Sequence, residues 1–403
     1  MPLNTSNQRR SRGANAPSDR APEPTTSFPE PLEALIGLFI VGAILFDVFL
    51  SIIVPRRAPR TGRHARPSRY LIPGLWARWR GEGWRIEQEE RREAFLGSFG
   101  ALAVIVLLIS WIAGLILGYG LLLHALRDQV KPVPESLGTA LYLAGTSLLT
   151  IGFGDYVPIG GLARLVSLVA GATGLGIYAV TITLLYSLYG SFQRREVAVV
   201  VLEAGAGAPP SGVTLLETYA HAGIHDDLPR VFQEWQVWAA EVLDTHLAYP
   251  ALAYFRSSHT NDSWISSLGA VMDAATLVIT TIDGGPTAWA KMFRAVGGHC
   301  VEDLVQFLNL ADDLEAGVER EEFEVARLRL ERAGFRLHDA NTSWNNFTQQ
   351  RMEYAGRVNA LARHFATPPA QWIGDRSPLK QPRAHAAAPP ADTTRPMSVS
   401  RRG

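Results

Sequence analysis

The sequence predicts an all-α membrane protein, and three observations carry that reading. First, Leu32–Val54, Phe95–Leu123 and Leu162–Gly190 are apolar runs of 23, 29 and 29 residues. A membrane-crossing helix needs about 20. Second, Ser136–Leu149 is apolar but too short to cross, and it lies between two of the long runs, as a re-entrant helix would. Third, Val213–Thr367 shows helical periodicity with one apolar face rather than further spans.

Directly after the short run comes Thr150-Ile151-Gly152-Phe153-Gly154-Asp155. A loop that presents successive carbonyl oxygens to a dehydrated cation needs backbone angles that side chains disfavour. Gly152 and Gly154 alternate with larger residues where that geometry requires them. Ile151 and Phe153 are then expected to project away from the ion path and wedge the loop against its scaffold.

These six residues resemble the filter of the potassium-channel family: Thr, then Val or Ile, Gly, Tyr or Phe, Gly, and often Asp. The resemblance covers about Phe95 to Gly190, roughly a quarter of the chain. One position departs from the family pattern: Leu149 stands where Thr or Ser is common. The resemblance implies a pore domain at 94–192, with an outer helix at 95–123, a pore helix at 136–149, a filter at 150–155 and an inner helix at 162–190. Thr150, Ile151, Gly152, Phe153 and Gly154 would bind K⁺ as the permeant ion. Asp155 and Tyr142 would support the filter, and Gly174 sits near the family's gating-hinge glycine. Close helix packing is an equal reading of Gly174 from the residues alone. One filter per chain implies a homotetramer in a lipid bilayer. No cofactor and no enzymatic activity are implied, and no catalytic motif is found.

The remaining segments follow in order. Residues 1–30 are rich in Pro, Ser, Asn and Arg and read as a disordered N-terminus. Residues 31–54 form the first membrane helix, with Pro31 at its start. Asp47 lies within two turns of the far end and is expected to snorkel towards the interface; a polar contact to another helix is the other reading. Residues 55–93 form a basic linker. Between Pro55 and Arg92 there are eleven Arg and four Glu. Trp76, Trp79 and Trp84 among Arg78, Arg80 and Arg85 read as a helix in the headgroup layer, interrupted by Pro73, Gly74, Gly81 and Gly83. The third span presents Tyr178 and Ile182 on one face, and Gln193, Arg194 and Arg195 mark its exit.

Beyond that exit, Val197–Leu202 reads as a short β-prone run. It lacks the glycine fingerprint of a nucleotide-binding fold, and Pro209-Pro210 interrupts the helix that would hold phosphate. Residues 193–367 read as a helical cytosolic domain. A helix is signalled by Asp226, Asp227 and Pro229, and Phe232, Trp235, Ala239, Val242 and His246 form its buried stripe. Trp264–Ile282 reads as a buried core helix, and further helices are expected at Thr287–Leu310, Leu314–Gly334 and Thr342–Phe365. His221, His225, His246, His259 and His299 show no metal-ligand spacing. Residues 368–403 read as a disordered tail.

Formal net charge is zero over 403 residues, so the total points to no nucleic-acid partner. Cys300 is the single cysteine, which excludes an intrachain disulfide. Positive loops stay inside, so the basic linker and C-terminal domain are expected in the cytosol of a cell-membrane protein. A regulatory ligand or partner of that domain is expected but unnamed. The rival from another class is a membrane-anchored sensor or scaffold with a vestigial pore and a partner-binding helical domain.

Overall fold

The computed structural model describes residues 30–52, 67–257, 263–311 and 317–373. The disordered N-terminus expected at 1–30, the first part of the basic linker, His259 and Leu314 fall almost wholly or wholly outside the described residues.

The membrane part is built from α1 (Glu30–Ile52), α2 (Pro67–Gly83), α3 (Glu89–Gly97) and α4 (Phe99–Ala125). These are followed by β1 (Val130–Lys131), α5 (Leu137–Leu148), β2 (Val157–Pro158) and α6 (Gly161–Ala206). Among the described residues, three segments are long and apolar enough to cross a membrane: α1, the stretch containing α4, and α6. At 1.5 Å per residue, the 23 residues of α1 extend about 35 Å.

α1 packs along α4. Here Asp47 corrects the snorkelling expectation. It is 1% exposed, and its Oδ2 accepts a hydrogen bond from Trp111 Nε1 at 2.8 Å. The α4 indole offers a donor at depth, and a carboxylate surrounded by apolar side chains takes it rather than reach for the interface. Near the other ends of these helices, His124 Nδ1 lies 2.8 Å from Glu33 Oε2, and Arg127 pairs with Glu30. Trp111→Phe removes a donor to Asp47 and is expected to destabilise the α1–α4 contact by about 1–3 kcal/mol. Asp47→Asn keeps an acceptor and should lose less. Thermal unfolding of the two detergent-solubilised variants checks the order.

The linker helix also departs from expectation. α2 is one helix of 17 residues that runs through Pro73. Trp76 is buried, its ring 4.9 Å from Phe99 and 5.7 Å from Tyr254 between centroids. Trp79 stacks on Phe95 at 4.3 Å, and only Trp84 is largely exposed. The aromatic face of α2 therefore docks on protein.

The C-terminal helical body comprises α7 (Gly212–His221), α8 (Leu228–Ala248), α9 (Trp264–Thr280), α10 (Thr287–Leu308), α11 (Arg320–Arg332), α12 (Ala340–Met352) and α13 (Ala355–His364). α9 is buried almost throughout and lies among α7, α8, α10, α12 and α13. Phe232, Trp235, Ala239, Val242 and His246 all fall on the buried face of α8. The helix expected over Thr342–Phe365 is two, because α12 ends at Met352 and α13 starts at Ala355. Tyr354, between them, turns its hydroxyl into the core.

Two further expectations are corrected. Val197–Leu202 is helical and continues α6, with Val199 and Leu202 buried. Residues 368–373 of the expected tail are ordered: Ala370, Trp372 and Ile373 are buried in the body, and Ser211 Oγ bonds to Gln371 Oε1, while 374–403 lie outside the described residues. An aromatic and an aliphatic side chain are enough to dock a segment whose average composition reads as disordered.

Candidate functional site

The site begins at the N-terminus of α5. Ser136 caps it, its hydroxyl accepting from the Thr139 N–H at 3.3 Å. At the other end the chain turns back on the helix. Thr150 N–H donates to Ser147 O at 3.1 Å, and Ile151 N–H donates to Thr146 O at 2.8 Å. This pair of bonds is the Schellman closure, in which the turning residue adopts a left-handed conformation. That residue is Thr150, with φ +57°. A β-branched residue pays a steric penalty there of roughly 1–2 kcal/mol, and strain of this kind gathers at functional loops.

The positive φ recurs with a period of two, free of steric cost at the two glycines. Thr150, Gly152 and Gly154 have φ of +57°, +60° and +81°, whereas Ile151 and Phe153 are not in the positive-φ region. Alternation between the two halves of φ space turns successive peptide carbonyls to the same side of the strand. Such a row of oxygens is what replaces the water shell of a permeating cation.

Aromatic side chains back the loop. Phe153 and Tyr142 lie parallel, 6.3 Å apart and 3° from coplanar orientation, and Tyr156 meets Tyr142 edge-on at 6.4 Å. The Asp155 carboxylate lies beside the Tyr142 hydroxyl. Ile151 and Phe153 are 51% and 69% exposed in a single chain, with Phe153 set against the Tyr142 ring. Beyond the loop, β1 and β2 pair antiparallel, with Val130 opposite Pro158 and Lys131 opposite Val157. Gln129 O accepts from Ile159 and Gly160, and Gln129 Oε1 accepts from the Ala163 N–H at 3.2 Å. The loop exit is thus tied to the first turn of α6.

Gly174 lies on α6 against the last turn of α5. A Cβ built there would overlap the carbonyl oxygen of Leu148 and come within 2.8 Å of its carbonyl carbon. α6 runs unbroken through this point, so the structure gives Gly174 a close-packing role. Tyr119 OH and Thr173 Oγ1, 2.7 Å apart, join α4 to α6 one residue earlier.

Far along α6 is a joint that sequence reasoning missed. Arg195, expected to mark an exit, is 2% exposed. Its guanidinium donates to Leu252 O at 3.2 Å and Phe255 O at 2.6 Å, and pairs with Glu196 at 2.9 Å. Its own carbonyl accepts from Trp238 Nε1 at 3.1 Å. His246 Nε2 is 3.2 Å from the guanidinium, and burial followed by the Arg195 charge pushes the His246 pKa well below its usual value. A neutral imidazole can accept from Arg195. On the other flank, Trp76 Nε1 donates to His364 O at 2.9 Å, Arg256 donates to Phe365 O at 2.8 Å, and Arg256 pairs with Glu93. Nothing in a basic doublet after an apolar run distinguishes a buried clamp from a solvated helix end.

Residues 102–190 match the family model described as Ion channel. They hold most of α4, all of α5, the strained loop and the first two-thirds of α6. That segment is an ion-channel domain. The chain is therefore an all-α membrane protein with an ion-channel domain, an additional apolar helix before it and a helical region after it. It is similar to a protein of Bacillus subtilis (strain 168) described as "Uncharacterized membrane protein YdjJ", with 26% identity over 187 residues. The match covers 45% of this chain and 54% of the relative, so it spans about half the relative's length. No solved structure matches the chain.

Proposed function

We propose that this protein is a potassium-selective channel whose filter is Thr150 to Gly154, completed by four copies of the chain. The observation that carries the reading is the alternating positive φ at Thr150, Gly152 and Gly154, at the C-terminal end of a short helix set between two membrane-length helices. Carbonyl rings from four such loops replace the hydration shell of K⁺. The C-terminus of α5, the negative end of its dipole, faces the water-filled cavity below the filter and favours a cation there. Asp155 and Tyr142 brace the outer mouth. The basic linker lies inside, which places the loop outside the cell membrane and the helical body in the cytosol. Gating by bending at Gly174 is a separate proposal, and so is control by a ligand of the helical body.

The test is the reversal potential of the purified protein in a planar bilayer, with K⁺ on one side and Na⁺ on the other. A reversal near the K⁺ equilibrium value is expected. Gly152→Ala forces a side chain into φ +60°, at about 1–2 kcal/mol in each of four subunits, and selectivity should collapse. Current without selectivity overturns the K⁺ assignment. A monomeric particle that passes no ions leaves the scaffold with a vestigial pore as the reading.

A further inference from the structure

α6 is 46 residues long, about 69 Å, and 29 of those residues, 162–190, are enough to cross the bilayer. The rest continues beyond the span as the same unbroken helix. One face of this continuation is covered by its own chain, through Arg195, Val199, Leu202 and Ala206, all buried. The opposite face is bare. Val197 and Val201 are 63% and 66% exposed, and Gln193, Val200 and Ala204 are exposed with them. These five carry no charge in a part of the chain beyond the span, and Arg194, also exposed, stands at the edge of the face beside Val201.

The bare face is in register with the span. Tyr178, Tyr189 and Val200 follow one another at intervals of eleven, and so do Ile182, Gln193 and Ala204. All six are exposed in a single chain. An eleven-residue repeat is 3.67 residues per turn, which keeps a stripe nearly straight along a helix and favours a slight right-handed supercoil. The stripe therefore leaves the membrane at the azimuth it had inside it. Gln193 is its one amide, and Gln193 Nε2 donates to Tyr189 OH at 3.3 Å where the span ends. A single polar layer in an apolar seam sets register between helices.

We propose that this stripe is the packing surface for α6 of neighbouring copies, so that four extensions bundle on the pore axis beyond the membrane. The proposal rests on the reading of the chain as a four-chain pore. Continuity selects this occupant. In that pore the stripe at Tyr178 and Ile182 faces the axis, and an unbroken helix carries Val197, Val200 and Ala204 to the same axis. The helical body, held on the opposite face, is kept clear of it.

Cysteine cross-linking of the full-length protein in membranes tests the bundle. The native Cys300 is buried, which leaves an introduced thiol as the reactive one. Ile182→Cys reports on the span, Val197→Cys and Val200→Cys on the extension, and Met352→Cys, 71% exposed on the body, on random collision. A disulfide forms readily only when Cα atoms approach within about 4.4–6.8 Å. Under mild oxidation, the span position and at least one extension position should yield covalent dimers about tenfold faster than Met352→Cys, as expected for thiols held at high effective concentration. Cross-linking at Ile182→Cys alone overturns the bundle and leaves the pore standing. Cross-linking at neither region overturns the bundle, and the pore then rests on the reversal-potential test, because thiols facing a water-filled cavity can lie beyond disulfide reach. Rates no faster than Met352→Cys at the extension also overturn the bundle.

Discussion

Gly174→Ala is expected to lower the melting temperature of the solubilised protein and to abolish ion flux. The added Cβ overlaps the Leu148 carbonyl oxygen and sits 2.8 Å from its carbonyl carbon. Both atoms are backbone, so no side-chain rotation relieves the clash. α6 or the end of α5 must move, and overpacking of this kind typically costs about 1–3 kcal/mol per site. Leu148 is the last residue of α5, two residues before Thr150, so the displacement passes directly into the strained loop. Two neighbours act as controls. A Cβ at Gly171 meets Ser147 O at an ordinary 3.5 Å, and one at Gly176 meets nothing within 4 Å. Alanine at those positions gains helix propensity, up to about 1 kcal/mol, and should hold or raise the melting temperature. The two roles of Gly174 make opposite predictions. A hinge stiffened by alanine leaves the fold intact and alters gating, with the melting temperature unchanged or higher. That result would sink the packing role.

The parts of the fold that could be read from sequence are those where chemistry dictates residue type locally. Length and apolarity mark α1, α4 and α6, and the gap between them marks α5. Gly152 and Gly154 are legible because their backbone angles exclude most residues. Thr150 is a different case: its left-handed conformation is imposed by the closure onto Thr146 and Ser147, and its identity gives no sign of it.

What was not legible depends on partners distant in sequence. Asp47 and Trp111 are 64 residues apart, and no pattern around either residue announces the other. Val197–Leu202 has the composition of a strand, yet Val199 and Leu202 complete the covered face of a helix; packing overrides propensity there. Arg195 reads as a membrane-exit charge until Leu252, Phe255 and Trp238 are folded around it. Trp76 reads as a headgroup anchor until Tyr254 and His364 arrive from the far end of the chain. Each of these residues can make either contact, and the choice belongs to the tertiary structure.

The second large effect concerns the core of the helical body, where Asp273 on α9 is held by α12 and the residues around it. Arg351 Nε donates to Asp273 Oδ1 at 2.9 Å, and Tyr354 OH donates to the same oxygen at 2.6 Å. Asp273 and Arg351 are 1% and 4% exposed. Burial pushes the Asp273 pKa up, while Arg351 and Tyr354 pull it back. Arg351→Met leaves the carboxylate in the core without its guanidinium, and loss of one partner from a buried pair costs about 3–5 kcal/mol. For a body of this size that is about 6–20 °C in melting temperature. Asp273→Leu removes the carboxylate to which Arg351 Nε and Tyr354 OH both donate and should cost a similar amount. Together, Asp273→Leu and Arg351→Met remove both charges, and apolar replacement of a whole buried pair is often neutral. The double variant is therefore expected to recover most of the loss. Thermal unfolding of the four proteins gives the coupling directly, and additive losses would show that the pair acts through separate contacts. The functional stake lies at the other end of the body. Arg351 also donates to Trp372 O, so the pair fastens α9 to the C-terminal segment that follows α13. α13 ends at His364, whose carbonyl holds Trp76, and Phe365 beside it holds Arg256. A body loosened at Asp273 loosens the frame that grips α2 and the far end of α6. The single variants should therefore shift open probability as well as stability, and the double variant, which still lacks the Arg351 donor to Trp372 O, should recover stability more fully than open probability.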